Sequence, residues 1–204
     1  AEDYIGVPVR PFPRWLRCVK CGLLSESDTG LFELKVEYRP EDTHFVHKGC
    51  RGSDGSKKAT DADAVPARFL VACRNGHLDD FPWHYFVHRG VSECSGKLRF
   101  YENGASLQTE DLWVKCDDCG ASRNMAQAFG EKGKENLPGC RGRHAHLDRF
   151  DAECEEDGRA VLLGATNSWF PMTISALAIP LAADPLSQLI GDDWETFEDI
   201  ESED

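Results

Sequence analysis

The side chains here with the strongest chemistry are nine cysteines and seven histidines, and the cysteine spacing is the more telling. "CVKCG" (Cys18, Cys21, Gly22) and "CDDCG" (Cys116, Cys119, Gly120) both read C-x2-C followed by glycine. Two residues between thiols suit a turn that grips a metal, and glycine permits the positive φ that lets such a turn aim its amides at the sulfurs. A structural zinc site takes four thiolates or imidazoles, two from one tight turn and two from a distant segment. Taken in chain order, the thiols fall into two sets: Cys18, Cys21, Cys50 and Cys73, then Cys116, Cys119, Cys140 and Cys154. That predicts two zinc ions, Zn(2+), per chain. His77 is an alternative to Cys50 or Cys73, and His144 or His146 to Cys154. Cys94 is left over and reads as an ordinary thiol.

"CRNGHLDDFPWHYFVH" (Cys73 to His88) gathers His77, His84, His88, Asp79 and Asp80 among aromatics, residue types that a metal-dependent active site would use. His84 and His88 stand at i and i+4, one face of a helix. A zincin needs glutamate directly after the first histidine as its base, and that position is Tyr85. Adjacent carboxylates on a helix or turn point about 100° apart, so Asp79 and Asp80 read as a cap for the helix that Pro82 opens. No phosphate-binding loop, nucleophile elbow or dinucleotide fingerprint occurs. The leading expectation is a scaffold and not an enzyme; a zinc-dependent hydrolase centred on His77, His84 and His88 is the alternative.

Positioning these residues is the task of a chain of 204 residues with 41% hydrophobic content, slightly low for a core, so something besides apolar burial is needed. The net charge of -13 is uneven: residues 192–204 hold eight acids and no base, leaving -5 for the rest. The tail reads as a solvated end or as an acidic strip that masks a basic surface. No signal peptide or spanning segment is recognisable, which predicts a soluble, cytoplasmic protein with reduced thiols. The first residue is Ala and the last lie in an acidic run, as in a piece of a longer protein.

Alternation and turn signals predict strands at 31–39, 43–50, 66–73, 97–101 and 111–116, and a helix over "LDDFPWHYFVH". "RNMAQAF" reads as a short helix, and Asn103-Gly104 as a tight turn. Residues 51–64 and 130–139 read as loops and natural hinges, and the apolar run Arg159–Pro180 as the core. The expected fold class is α+β, built of small zinc-stapled β-ribbon modules with short helices. Residues 1–94 would form a first zinc-binding module, 95–180 a second with the apolar core, and 181–204 an acidic tail. Basic residues gather near the metal turns: Arg17 and Lys20, Arg74, Arg141 and Arg143. With Trp15, Trp83 and Trp113 they suit contact with DNA, or else they solubilise the surface and offset thiolate charge.

"FPRWLRCVKCGLL", "VPARFLVACRNGHLDDFPWHYFVH", "DLWVKCDDCGASRNMAQAF" and "GATNSWFPMTISALAIP" together resemble, in the same order, the N-terminal part of the DrmB family. That family is a component of the bacterial DISARM anti-phage system, related to the zinc-binding domain at the end of some DNA helicases. The resemblance implies zinc at the eight cysteines of the two sets. It also implies a non-motor role in antiviral defence beside a helicase-like partner of the DrmA type, with DNA engaged through the complex. "RHAHLDRF" departs from the more apolar segment expected there.

Overall fold

The computed structural model of the chain describes residues 9–53, 55, 58–102, 109–164, 189, 191 and 192. Residues 9–164 belong to one compact unit. Strands dominate the described residues: β1 (Trp15–Cys18), β2 (Leu23–Glu26), β3 (Phe32–Lys35), β4 (His44–Cys50), β5 (Thr60–Pro66), β6 (Phe69–Ala72), β7 (Leu78–Asp80), β8 (Leu98–Glu102), β9 (Leu112–Cys116), β10 (Ser122–Asn124), β11 (Arg143–His144), β12 (Arg149–Phe150) and β13 (Arg159–Leu162). The one described α-helix of more than a turn is α1 (Trp83–His88). Strands and helix are both present, as an α+β class requires, but β structure outweighs helix more than expected.

Two sheets result. An eight-stranded sheet runs β10-β9-β8-β2-β1-β5-β4-β3, every neighbouring pair antiparallel, and a five-stranded sheet runs β12-β11-β7-β6-β13. Both draw strands from either side of residue 94. The period-two pattern is clearest in β9, where Leu112, Val114 and Cys116 are buried and Trp113 and Lys115 exposed. In the five-stranded sheet the single β7–β11 bridge, His144 against Leu78, is parallel and joins segments more than sixty residues apart.

Several expectations shift for identifiable reasons. Within "LDDFPWHYFVH" the LDD portion is β7, paired with β6, and the helix begins only after Pro82. Neither aspartate caps it: Pro82 is the N-cap, with no side-chain hydrogen bond, and both carboxylates are taken by arginines. The predicted loop 51–64 contains the start of β5, held between β1 and β4 by antiparallel pairing. Residues 131–136 form a 3-10 turn, and Met125–Ala128 is also 3-10, capped by the Asn124 side chain accepting from the Ala126 amide. β13 is found where the apolar run begins, but residues 165–180, the Asn103-Gly104 turn and almost all of the acidic tail lie outside the described residues.

The main core packs α1 onto the sheets. Trp83, Phe86 and Val87 fall on its inner face and meet Phe69, Phe81, Phe100, Leu98 and Val114. Phe69 makes edge-on ring contacts with Phe81, Trp83 and Phe129 at 5.9–6.2 Å. The second cluster is of another kind: Cys18, Cys21 and Cys50 are packed with Leu16, Leu23, Phe32 and Ala64. Here thiols occupy the interior, in keeping with the modest apolar content.

Candidate metal centres

Each cysteine pair lies where an antiparallel hairpin turns. β1 and β2 close on Cys18 and Cys21, with the Gly22 amide donating to Cys18 O at 3.0 Å; β9 and β10 close on Cys116 and Cys119, with the Gly120 amide donating to Cys116 O at 3.1 Å. Gly22 has φ +70°, and a Cβ there would lie 2.3 Å from the Phe100 carbonyl oxygen. Only glycine fits that turn. Between the hairpins, on β8, Arg99 donates from Nη1 to Cys21 O at 2.8 Å and from Nε to Asp117 at 2.7 Å. One guanidinium therefore fixes both turns, a role that nothing in the local pattern around Arg99 signals.

Four-ligand groups form around these turns, but not the two sets that chain order suggested. Cys18, Cys21 and Cys50 are joined by His47; Cys73 is joined by His77, Cys140 and Cys154; and Cys116 and Cys119 lie with Cys94 and His88. In each group the candidate ligand atoms lie within 4.8 Å of one another. Cys73 parts from Cys18 because β6 and β7 belong to the five-stranded sheet, where their turn meets the segments bearing Cys140 and Cys154.

The distances identify what such groups can do. A tetrahedral zinc with Zn–S of about 2.3 Å and Zn–N of about 2.0 Å places neighbouring sulfurs about 3.8 Å apart, and sulfur and nitrogen about 3.5 Å apart. In the first centre Cys18 Sγ and Cys50 Sγ are 3.7 Å apart, and Cys21 Sγ lies 3.5 Å from His47 Nδ1. In the second, His77 Nδ1 lies 3.3 Å from Cys73 Sγ and 3.5 Å from Cys140 Sγ. These spacings match the edges of a tetrahedron around an ion, so the residues present can hold a metal and fit zinc. Backbone amides supplement them: Gly52 N donates to Cys50 Sγ at 3.4 Å, and Gly142 N to Cys140 Sγ at 3.3 Å.

The second centre carries its own outer layer. His77 donates from Nε2 to Asp151 Oδ2 at 2.9 Å, and His144 Nε2 reaches the same oxygen at 2.9 Å. A carboxylate behind a histidine orients its ring, so that Nδ1 faces the sulfurs. Without metal, the Asp151 carboxylate pushes the His77 imidazole up to about 9. The neighbouring thiols diverge: burial pushes Cys140 up to about 12, whereas the Glu156 backbone amide draws Cys154 down to about 7. His146 stands outside the group; His144 joins His77 and Asp151 in a three-residue cluster beside it, its ring edge-on to that of His77 at 4.8 Å.

The three histidines of the hydrolase alternative do not converge. His77 belongs to the second group and His88 to the third, while His84 joins none of the groups found among the described residues.

Asp79 and Asp80 instead form a clamp. The nearly buried Arg143 donates from Nη1 to Asp79 Oδ1 and to Asp80 Oδ2, each at 2.7 Å. Arg141 Nε holds Asp79 Oδ2 at 2.7 Å, and the Arg14 backbone amide donates to Asp80 Oδ1 at 2.7 Å. The remaining expected DNA-contacting residues sit differently. Arg17 pairs with Glu102 and lies over the Phe100 ring, Lys20 donates to Thr60 Oγ1 at 2.8 Å, and Arg74 is exposed in the turn between Cys73 and His77.

No helix among the described residues is long and apolar enough to cross a membrane. Residues 1–170 match the family described as Domain of unknown function (DUF8724). The chain is also similar to a protein of Bacillus paralicheniformis named DISARM protein DrmB, 33% identical over 177 residues. The match covers 85% of this chain but only 29% of that protein's length. By these matches the chain belongs to the DUF8724 family and is DrmB-like along most of its length.

Proposed function

We propose that this chain is a non-catalytic scaffold stapled by zinc, which docks on a helicase-like partner of the DrmA type and assists DNA engagement in anti-phage defence. The observation that carries the scaffold reading is the full ligand set: four candidate protein ligands within 4.8 Å of one another, with several pairs at tetrahedral spacing, would complete the coordination of a zinc ion and leave no position for substrate or an activated water. The defence role rests on the likeness to a protein named as a DISARM component. The partner is expected to supply nucleotide hydrolysis, since no phosphate-binding loop is present in this sequence.

For DNA, the exposed Arg74 and Arg141 are the strongest of the candidate contacts, because Arg143 is enclosed. The test measures DNA affinity of the partner with and without the protein across salt concentrations, alongside zinc content. Cys18→Ser should lose a metal and its hairpin's order and weaken the complex, whereas Arg74→Ala should lower affinity without metal loss and flatten the salt dependence. Retained zinc and an intact fold in Cys18→Ser would sink the scaffold reading. DNA affinity equal to that of the partner alone would remove the DNA role and leave docking.

A further inference from the structure

The third group contains two residues that the cysteine spacing does not point to, and the structure assigns them: His88, Cys94, Cys116 and Cys119 form a further zinc centre, which pins the end of α1 to the β9–β10 hairpin. The inference rests on the scaffold reading above and deepens it, from zinc-stapled ribbons to a helix moored by metal.

Independent observations converge on it. Cys94 Sγ and Cys116 Sγ are 3.7 Å apart, the sulfur–sulfur edge found between Cys18 and Cys50 in the first centre. His88 Nδ1 lies 2.8 Å from the His84 carbonyl oxygen, which can only accept, so Nδ1 carries the proton and Nε2 is left with a lone pair. That Nε2 is buried and has no hydrogen-bond partner, a costly state for a lone pair unless something electron-poor faces it. A ring nitrogen of His88 lies within 4.8 Å of three thiol sulfurs, and with Nδ1 engaged by the carbonyl it is Nε2 that is free to face them. A zinc ion at their centre resolves the unpartnered nitrogen and draws the thiols together.

The backbone is built for the approach. Asp117 N donates to Lys97 O at 2.8 Å, laying the segment after Cys94 across the knuckle. Gly96 permits the contact: a Cβ there would lie 2.6 Å from Cys116 Sγ and 2.7 Å from the Asp118 Cβ. His88 ends α1, whose Trp83, Phe86 and Val87 are buried in the main core, so the metal ties the hairpin to the elements that hold this core together.

Zinc per chain, counted on the purified full chain after equilibration with a competing chelator that leaves the wild type intact, tests the assignment. Wild type should carry three zinc ions at these cysteines, and His88→Ala, Cys94→Ser and Cys18→Ser should each carry one fewer. If Cys18→Ser loses zinc while His88→Ala and Cys94→Ser keep the wild-type count, the third centre falls and the scaffold reading stands. If none of the three loses zinc, both fall. Should the Ala and Ser variants fail to fold, His88→Cys serves: it keeps the metal count and adds a thiolate, so the sulfur-to-cobalt charge-transfer band of the cobalt-substituted protein rises by about one part in nine. An unchanged band would overturn the assignment.

Discussion

Arg143 separates a structural role from a nucleic-acid role more sharply than any other residue here. Its side chain is 5% exposed, and one nitrogen bridges carboxylates that are 13% and 8% exposed. Removing one member of a buried ion pair costs roughly 3–5 kcal/mol, mainly because the partner charge is left without compensation. Two features pull Arg143→Ala toward the lower end. Asp79 keeps Arg141 and Asp80 keeps the Arg14 amide, so neither carboxylate is abandoned. Arg143 Nε is itself buried without an acceptor, a burden of about 1–3 kcal/mol that the truncation removes. The expected loss is therefore about 3 kcal/mol, set at the lower bound for a broken buried pair. Arg141 is 62% exposed although it holds the same Asp79, so Arg141→Ala should cost no more than about 1 kcal/mol. Urea unfolding at saturating zinc, followed by tryptophan fluorescence and compared by midpoint at constant slope, measures both. Stability of Arg143→Ala within 1 kcal/mol of wild type, together with a DNA-binding defect as large as that of Arg141→Ala, would refute the clamp and restore Arg143 as a contact residue.

Gly22→Ala places a Cβ against a backbone carbonyl in a left-handed turn, so it should cost at least about 2 kcal/mol and lower occupancy of the first centre. Gly30→Ala, at φ +76° in open space, should cost about 1 kcal/mol and leave zinc untouched; equal effects would contradict the close approach at Phe100. Asp151→Ala removes the carboxylate behind His77 and should weaken zinc at the second centre about 10–100-fold while leaving the others unchanged, as chelator competition can show.

What the sequence made legible was local. Both C-x2-C-G turns, the alternation of β9 and the inward face of α1 are written within five to ten residues, because a knuckle, a strand face and a helix face each depend on near neighbours. The grouping of ligands was not local. Cys18 and Cys73 open and close the expected set, but Cys18 ends β1 of the eight-stranded sheet while Cys73 lies in the turn between β6 and β7 of the five-stranded one, and that separation is decided by pairings such as β7 with β11, which no short window contains. The same reason hid the role of Asp79 and Asp80, whose arginine partners follow about sixty residues later. Some of the missing ligands did leave a local trace. His47 precedes Cys50 by the knuckle spacing, giving H-x2-C opposite C-x2-C. Cys50, Cys140 and Cys94 are each followed two residues on by glycine; at the first two that glycine's amide donates to the sulfur, and at the third its missing Cβ makes room for Cys116. Read that way, Cys94 belongs to the pattern and is no remainder. Each group then takes three thiols and one histidine, so the nine cysteines divide evenly among three candidate groups. The chain's modest apolar content follows the same logic, since Cys18, Cys21 and Cys50 sit in the interior where aliphatic side chains would otherwise be needed.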